Sequence, residues 1–72
     1  MDLKEYKEKA GAIHKKLFEA YGELTQLMRE EDAKEWDING GCHLDRAEKG
    51  LAQAVDHMSF AAEGFQYTQR VV

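Results

Sequence analysis

Apolar residues recur at alternating steps of three and four along two stretches of the chain. In residues 3–31 they are Leu3, Tyr6, Ala10, Ile13, Leu17, Ala20, Leu24 and Leu27. In residues 43–65 they are Leu44, Ala47, Leu51, Ala54, Met58, Ala61 and Phe65. This heptad spacing places the apolar side chains on one side of an α-helix and is typical of helices that pack along a seam. The pattern predicts two long amphipathic helices, and Asp45 followed by Glu48 suggests a capping box near the start of the second.

The segment between the two helices, residues 32–42, predicts a turn. Asp32 and Asp37 disfavour continuation of the first helix, and Asn39-Gly40-Gly41 is a strong helix break. Because Trp36 and Ile38 are large apolar residues in a polar turn, we expect them to cover the end of the core; stacking on a ligand is the alternative role for Trp36. Residues 66–72 follow the second helix as a short tail.

These elements predict an all-α fold, with residues 1–72 forming one antiparallel helical hairpin. A chain this short buries only about 60% of its unfolded surface, so its own core is marginal. The single cysteine, Cys42, excludes an internal disulfide framework. Further apolar residues flank the two seams and widen the stripe beyond what one partner helix covers. They are Phe18, Tyr21, Met28, Val55, Phe60 and Ala62. We therefore expect the hairpin to assemble into a symmetric homo-oligomer.

Composition limits the partners. The formal net charge of −4 disfavours an extended nucleic acid, whose binders normally carry a basic excess. No apolar run is long enough to cross a bilayer, and the opening residues, Met1 to Glu5, do not resemble a signal peptide. A lone thiol suits a reducing compartment. These features predict a cytoplasmic protein with no membrane partner.

Residues suited to metal binding or catalysis lack the required spacing. No two of His14, His43, His57 and Cys42 are four positions apart, as a pair of metal ligands on one helix requires. Cys42 and His43 are adjacent and have no third residue to orient a base, and no serine lies in a nucleophile turn. We therefore expect no metal or other cofactor and no enzymatic activity.

Charge is unevenly distributed along the chain. Five lysines and three acids give residues 2–16 a net charge of +2, whereas two basic and seven acidic residues give residues 17–42 a net charge of −5. In an antiparallel hairpin the start of helix one lies beside the end of helix two. That end therefore combines basic and hydroxyl-bearing residues: Lys4, Tyr6, Lys7, Lys9, Tyr67, Thr68 and Arg70. Lysine, arginine and tyrosine together can pair with phosphates and stack on bases.

Arg46 and Lys49 provide a second candidate for anion binding. Their spacing of three places them on one helix face, where both could hold a single phosphate. Ion pairs with Asp45 or Glu48 are the structural alternative for these two residues. A position in the core is likewise the alternative for Tyr6, and simple solvation is the alternative for Lys7 and Lys9.

From Trp36 to Phe65 the chain resembles the small phage anti-CBASS sponge proteins. The similar features are a tryptophan ahead of the second helix and the segment LDRAEKGLAQAVDHMSFAAEGF, in which Gly50 directly precedes Leu51. The resemblance covers about 30 residues. It implies a compact helical hairpin that assembles into hexamers and binds cyclic di- and trinucleotides between subunits without cleaving them. Sequestration of these messengers blocks host CBASS anti-phage signalling, and such a protein would act in the host cytoplasm.

The resemblance implies a ligand site built from a tyrosine and basic groups of different subunits. Tyr6 corresponds to the tyrosine by its place near the start of helix one, and Arg46 and Lys49 correspond to basic positions early in helix two. The ligand set expected here is completed by four more residues: Lys7, Lys9, Tyr67 and Arg70. The alternative function is that of a helical adaptor or regulator whose exposed apolar face binds a partner protein.

Overall fold

The computed structural model describes residues 1–64, which form three helices. They are α1 (Leu3–Met28), α2 (Ala33–Asn39) and α3 (His43–Ala62), and no strand occurs within these 64 residues. The all-helical class predicted from the heptad spacing is confirmed. Phe65 and the tail predicted for residues 66–72, with Tyr67 and Arg70, lie outside the described residues.

α1 and α3 pack against each other as an antiparallel hairpin. Near the turn, the Tyr21 hydroxyl donates a hydrogen bond of 3.0 Å to Glu48 Oε1. Towards the other end, Gly11 lies beside Ala62, and Gly64 lies beside Lys7. A Cβ built on Gly11 would be 3.9 Å from the Cβ of Ala62, and a Cβ built on Gly64 would be 3.1 Å from Cδ of Lys7. Residue numbers thus rise along one helix as they fall along the other, which places the start of α1 beside the end of α3.

α1 begins where the sequence predicts it and ends three residues earlier. The Asp2 side chain accepts a hydrogen bond of 2.8 Å from the Glu5 backbone N–H and so caps the first turn. The predicted end at residue 31 is wrong, because the last helical residue is Met28. Residues 30–32 are three consecutive acids, and negative charge at a helix C-terminus opposes the helix dipole.

The segment predicted as a turn contains the short helix α2, and this helix caps the next one. Asp37 Oδ1 accepts a hydrogen bond of 2.7 Å from the Leu44 N–H, and Asp37 Oδ2 accepts one of 3.2 Å from the Asp45 N–H. The predicted capping box of Asp45 and Glu48 is therefore wrong. The residue at the N-cap position, Cys42, makes no side-chain capping bond and has a left-handed backbone with φ of 61°.

The contact line between α1 and α3 runs along one edge of the predicted seam. On α1 the buried and half-buried positions are Ala10, Gly11, His14, Leu17, Tyr21, Leu24, Thr25 and Met28. The predicted seam residues Ile13, Ala20 and Leu27 are exposed, and so is Ala47 on α3. Because Leu3 and Tyr6 are exposed as well, five of the eight predicted seam residues of α1 are exposed, whereas Ala47 is the one exposed residue among the six described on α3. The predicted register is therefore wrong for most of α1 and confirmed for most of α3. The apolar stripe of α1 is wider than one helix can cover. α3 packs against the edge of the stripe at which the Tyr21 hydroxyl contacts Glu48.

The hairpin is elongated and has little interior. Its radius of gyration is 16.1 Å, against about 11 Å for a compact domain of this length. Among residues 1–64 only two small side chains, those of Ala10 and Ala33, are buried. Trp36 and Ile38 are 72% and 58% exposed, so the prediction that they cover the end of the core is wrong for a single chain. Because α2 turns them outwards, they lie on the surface.

Candidate functional site

The start of α1 presents three of the predicted ligand residues to solvent. Tyr6, Lys7 and Lys9 are all exposed, and Tyr6 lines a shallow groove together with the first three residues of the chain. The aliphatic stem of Lys7 lies against Gly64, which leaves its ammonium group free to reach outwards. Lys9 Nζ lies 3.4 Å from Glu5 Oε2. This exposed ion pair contributes about 0–1 kcal/mol and competes only weakly with an incoming anion.

Arg46 and Lys49 lie on the outer side of α3, near the turn end of the hairpin. Both are exposed. Lys49 Nζ lies 3.1 Å from Asp45 Oδ2, which is the ion pair that the sequence left open as an alternative. Within residues 1–64 the Arg46 guanidinium makes no ion pair. Of the two, Arg46 is therefore the residue better placed to bind a phosphate.

One chain does not bring these two groups of residues together. The Tyr21–Glu48 and Gly11–Ala62 contacts show how α1 and α3 are aligned along their length. In this alignment Arg46 lies at the level of about residue 25 of α1. At 1.5 Å per residue, that level is about 28 Å along the helix from Tyr6. A ligand that contacts both Tyr6 and Arg46 would therefore have to lie between different copies of the chain. Tyr67 and Arg70, the other two predicted ligand residues, are outside the described part of the protein.

A cavity more enclosed than the groove beside Tyr6 lies elsewhere, between α2 and the start of α3. It has a volume of about 240 Å³ and is lined mainly by apolar side chains, among them Met28, Ile38 and Leu44. Pockets that enclose drug-sized ligands usually measure about 300–1,000 Å³. Lys34 lines this cavity together with the carboxylates Asp37 and Asp45, whereas the predicted ligand residues at the start of α1 and Arg46 do not, so the cavity lies apart from the predicted ligand residues.

Two polar contacts that hold the hairpin together were not found by sequence reasoning. Asp37 was interpreted only as a helix breaker, whereas it caps α3. Tyr21 was interpreted as an apolar flank, whereas its hydroxyl binds Glu48. The hydrogen bond to Glu48, followed by the negative charge of the same carboxylate, raises the pKa of Tyr21 above its ordinary value of 10.0. Glu48 lies seven residues before Val55, an apolar residue that flanks the predicted seam, and this spacing was the available signal for the contact.

Searches for metal sites and membrane spans found neither in the described part of the chain. Residues 1–64 contain no group of three or more His, Cys, Asp or Glu side chains that could hold a metal ion. In the same residues, no helix combines the length and the apolar character needed to cross a bilayer.

Comparison with known proteins leaves the resemblance noted from the sequence as the only lead to a family. No protein-family model matches the chain, and neither does any curated protein or solved structure with which it was compared.

Proposed function

We propose that this protein binds and sequesters cyclic di- or trinucleotides without cleaving them, and so blocks CBASS anti-phage signalling. The observation that carries the proposal is the solvent exposure of the predicted ligand residues. Each predicted ligand residue in the described part of the chain, namely Tyr6, Lys7, Lys9, Arg46 and Lys49, is exposed and can reach a ligand. The resemblance of residues 36–65 to the anti-CBASS sponge proteins supports the choice of ligand.

The separation of the ligand residues makes the proposed site a shared one. A cyclic oligonucleotide is compact and carries two or three phosphates, so it needs several cations close together. One hairpin offers Lys7 and Arg46 at levels about 27 Å apart. Symmetric assembly repeats each cation around an axis and so concentrates them at one place. In this proposal the homo-oligomer, with a hexamer as the expected form, is the functional unit.

Titration calorimetry with cyclic GMP–AMP and cyclic tri-AMP tests the proposal. We expect binding of at least one of them, and Arg46→Ala should weaken it by about 1.5–3 kcal/mol, which is the value of a charge-assisted hydrogen bond. The matched control is Arg29→Ala, because Arg29 is also exposed and the change in net charge is the same. Equal affinity of the two variants would contradict the assignment of Arg46.

The fate of the ligand tests the second half of the proposal. After incubation, the protein is heated and the released nucleotide is separated by chromatography. Intact cyclic ligand is the expected result for a sponge, whereas linear products would show that the protein is a phosphodiesterase.

A second function, that of a protein-binding adaptor, is favoured by the large exposed apolar side chains. Phe18 is 60% exposed, and Trp36 is still more so. Aromatic side chains are enriched in the centres of protein interfaces. If the purified oligomer binds no cyclic nucleotide in calorimetry, the adaptor function becomes the better account.

A further inference from the structure

One broad face of the hairpin carries a continuous apolar surface. On α1 it consists of Ile13, Ala20 and Leu27, which are seven residues apart. All three are exposed, and Ile13 and Leu27 retain 49% and 46% of their accessible surface. Each lies one position before a residue of the contact line with α3, since His14, Tyr21 and Met28 are half-buried. The stripe therefore runs beside the contact line along most of α1.

α3 adds a matching stripe of small residues to the same face. Ala47, Ala54 and Ala61 are also seven residues apart, and each again precedes a half-buried residue: Glu48, Val55 and Ala62. Ala47 is exposed, whereas Ala54 and Ala61 are half-buried at the edge of the contact with α1. A shift of one residue rotates each stripe by the same angle away from the contact line. Because the two helices are antiparallel, this rotation places both stripes on the same side of the hairpin. The opposite face includes Thr25, Asp45, Asp56 and Ser59, and it also carries Phe18, seven residues before Thr25, and Phe60, four residues after Asp56, which are 60% and 51% exposed. The apolar face is defined here by the six aliphatic stripe residues of α1 and α3.

We propose that the apolar face binds a second copy of this chain in antiparallel orientation, about a two-fold axis that passes close to Ala20. The outline of the hairpin measures 49 by 24 Å. A face of these dimensions can supply the roughly 800 Å² per partner that a stable interface buries. In this orientation α1 lies along α1 of the second copy. Ile13 of each copy then packs against Leu27 of the other, and the small side chain of Ala20 lets the helices approach closely.

Charge decides between the antiparallel and the parallel arrangement. Residues 17–54, which form the turn end, carry four basic and nine acidic residues, for a net charge of −5. Residues 1–16 together with residues 55–64 carry five of each, for a net charge of zero. A parallel pair would hold two ends of charge −5 together, and like charges at close range repel. An antiparallel pair places each acidic end against a neutral one.

The residues flanking the stripe on α1 are complementary in the same register. Lys9, Lys16 and Glu23 on α1, followed by Glu30 just beyond its end, are seven residues apart, all are exposed, and they change from basic to acidic on passing Ala20. A two-fold axis near Ala20 brings Lys16 of one copy to Glu23 of the other, and Lys9 to Glu30. The symmetry repeats each pair, so one pairing yields four ion pairs along the rim of the interface.

The proposed pairing extends the site argument but does not depend on the identity of the ligand. It brings the start of α1 in one copy, with Tyr6 and Lys7, to the turn end of the other copy. That end carries Arg46 and Lys49. Tyr6 and Lys7 of one copy then lie at the same end of the pair as Arg46 of the other, whereas Lys49, seven residues before Asp56, lies on the face turned away from the pairing.

Cysteine cross-linking without nucleotide tests the pairing. In a Cys42→Ser background, Ala20→Cys should form a disulfide-linked dimer under mild oxidation at least tenfold faster than Ala12→Cys. Both positions are exposed alanines of α1, but Ala12 lies on the outer side of the helix, away from the apolar face. Residues near a two-fold axis meet their own copies, and a disulfide requires Cα atoms within about 7 Å. Equal rates for the two variants would overturn the proposal.

A charge swap provides a second test, which does not depend on a new cysteine. Lys16→Glu places like charges at two symmetric sites and should raise the dissociation constant of the pair, measured by sedimentation, about tenfold. Lys16→Glu/Glu23→Lys should restore it to within about threefold. Circular dichroism checks that each variant remains helical. Failure of the double variant to restore association would overturn the register, whereas failure of nucleotide binding would leave the pairing intact and overturn only the proposed function.

Discussion

The contact between Tyr21 and Glu48 connects the two long helices through their side chains. Both residues are half-buried, and the hydroxyl-to-carboxylate bond measures 3.0 Å. A phenol that donates to a carboxylate is stabilised in its neutral form, which is why the pKa of Tyr21 is raised. Ionised Tyr21 would lose this bond and would face the negative charge of Glu48.

Folding stability should therefore fall at high pH in a way that depends on Tyr21. Since the pKa is higher in the folded than in the unfolded chain, the stabilisation is fully present below about pH 10, the unfolded value, and is lost as the pH rises through the folded value. Tyr21→Phe removes this ionisation. Thermal melts of both proteins between pH 8 and pH 11 should show a steeper decline in Tm for the wild type, and parallel profiles would contradict the assigned bond.

The start of α3 depends on a side chain from the preceding helix. Asp37 in α2 accepts hydrogen bonds from two N–H groups in the first turn of α3, and its negative charge lies at the positive end of the helix dipole. The Cys42 side chain, at the N-cap position itself, provides no such bond. α2 thus has a structural role, which is to hold one carboxylate at the beginning of α3.

Removal of this cap should lower the free energy of unfolding by about 0.5–2 kcal/mol in Asp37→Ala, as at other helix N-caps. Asp37→Asn retains one acceptor and should lose less. Glu35→Ala is the matched control, because Glu35 is an exposed acid of the same helix that makes no hydrogen bond with α3 within residues 1–64. Urea denaturation measures the three values. A loss no greater in Asp37→Ala than in Glu35→Ala would contradict the capping role.

The heptad spacing predicted the number and extent of the long helices well, because helix formation depends on local periodicity. It predicted the contact line less well. Ile13 and His14 are neighbours in sequence, and only packing decides that His14 faces α3. A turn signal at Asp37 could not reveal that its carboxylate reaches Leu44, seven residues away. The sequence predicted which residues form the candidate site but not how far apart they lie. The separation of Tyr6 from Arg46 follows from the antiparallel packing of α1 and α3.

The molecule as a whole is a hairpin with more apolar surface than interior. Within residues 1–64 no large side chain is fully buried, while Ile13, Phe18 and Leu27 are about half exposed or more. A core of this size rarely supplies more than about 3–5 kcal/mol. Association with further copies would cover the apolar face and at the same time gather the dispersed cations. In the proposed function an assembly of several copies is therefore the functional unit, and the same assembly would stabilise the hairpin.

Native mass spectrometry of the purified protein with cyclic di- and trinucleotides tests this central claim most directly, because one spectrum reports both assembly and bound ligand. We expect a homo-oligomer built from an even number of chains, with intact cyclic nucleotide retained at a fixed ratio. Linear adenosine dinucleotide, which carries similar charge and bases, is the control and should be retained poorly. A stable 8.2 kDa monomer, or an oligomer that retains no cyclic nucleotide, would contradict the account.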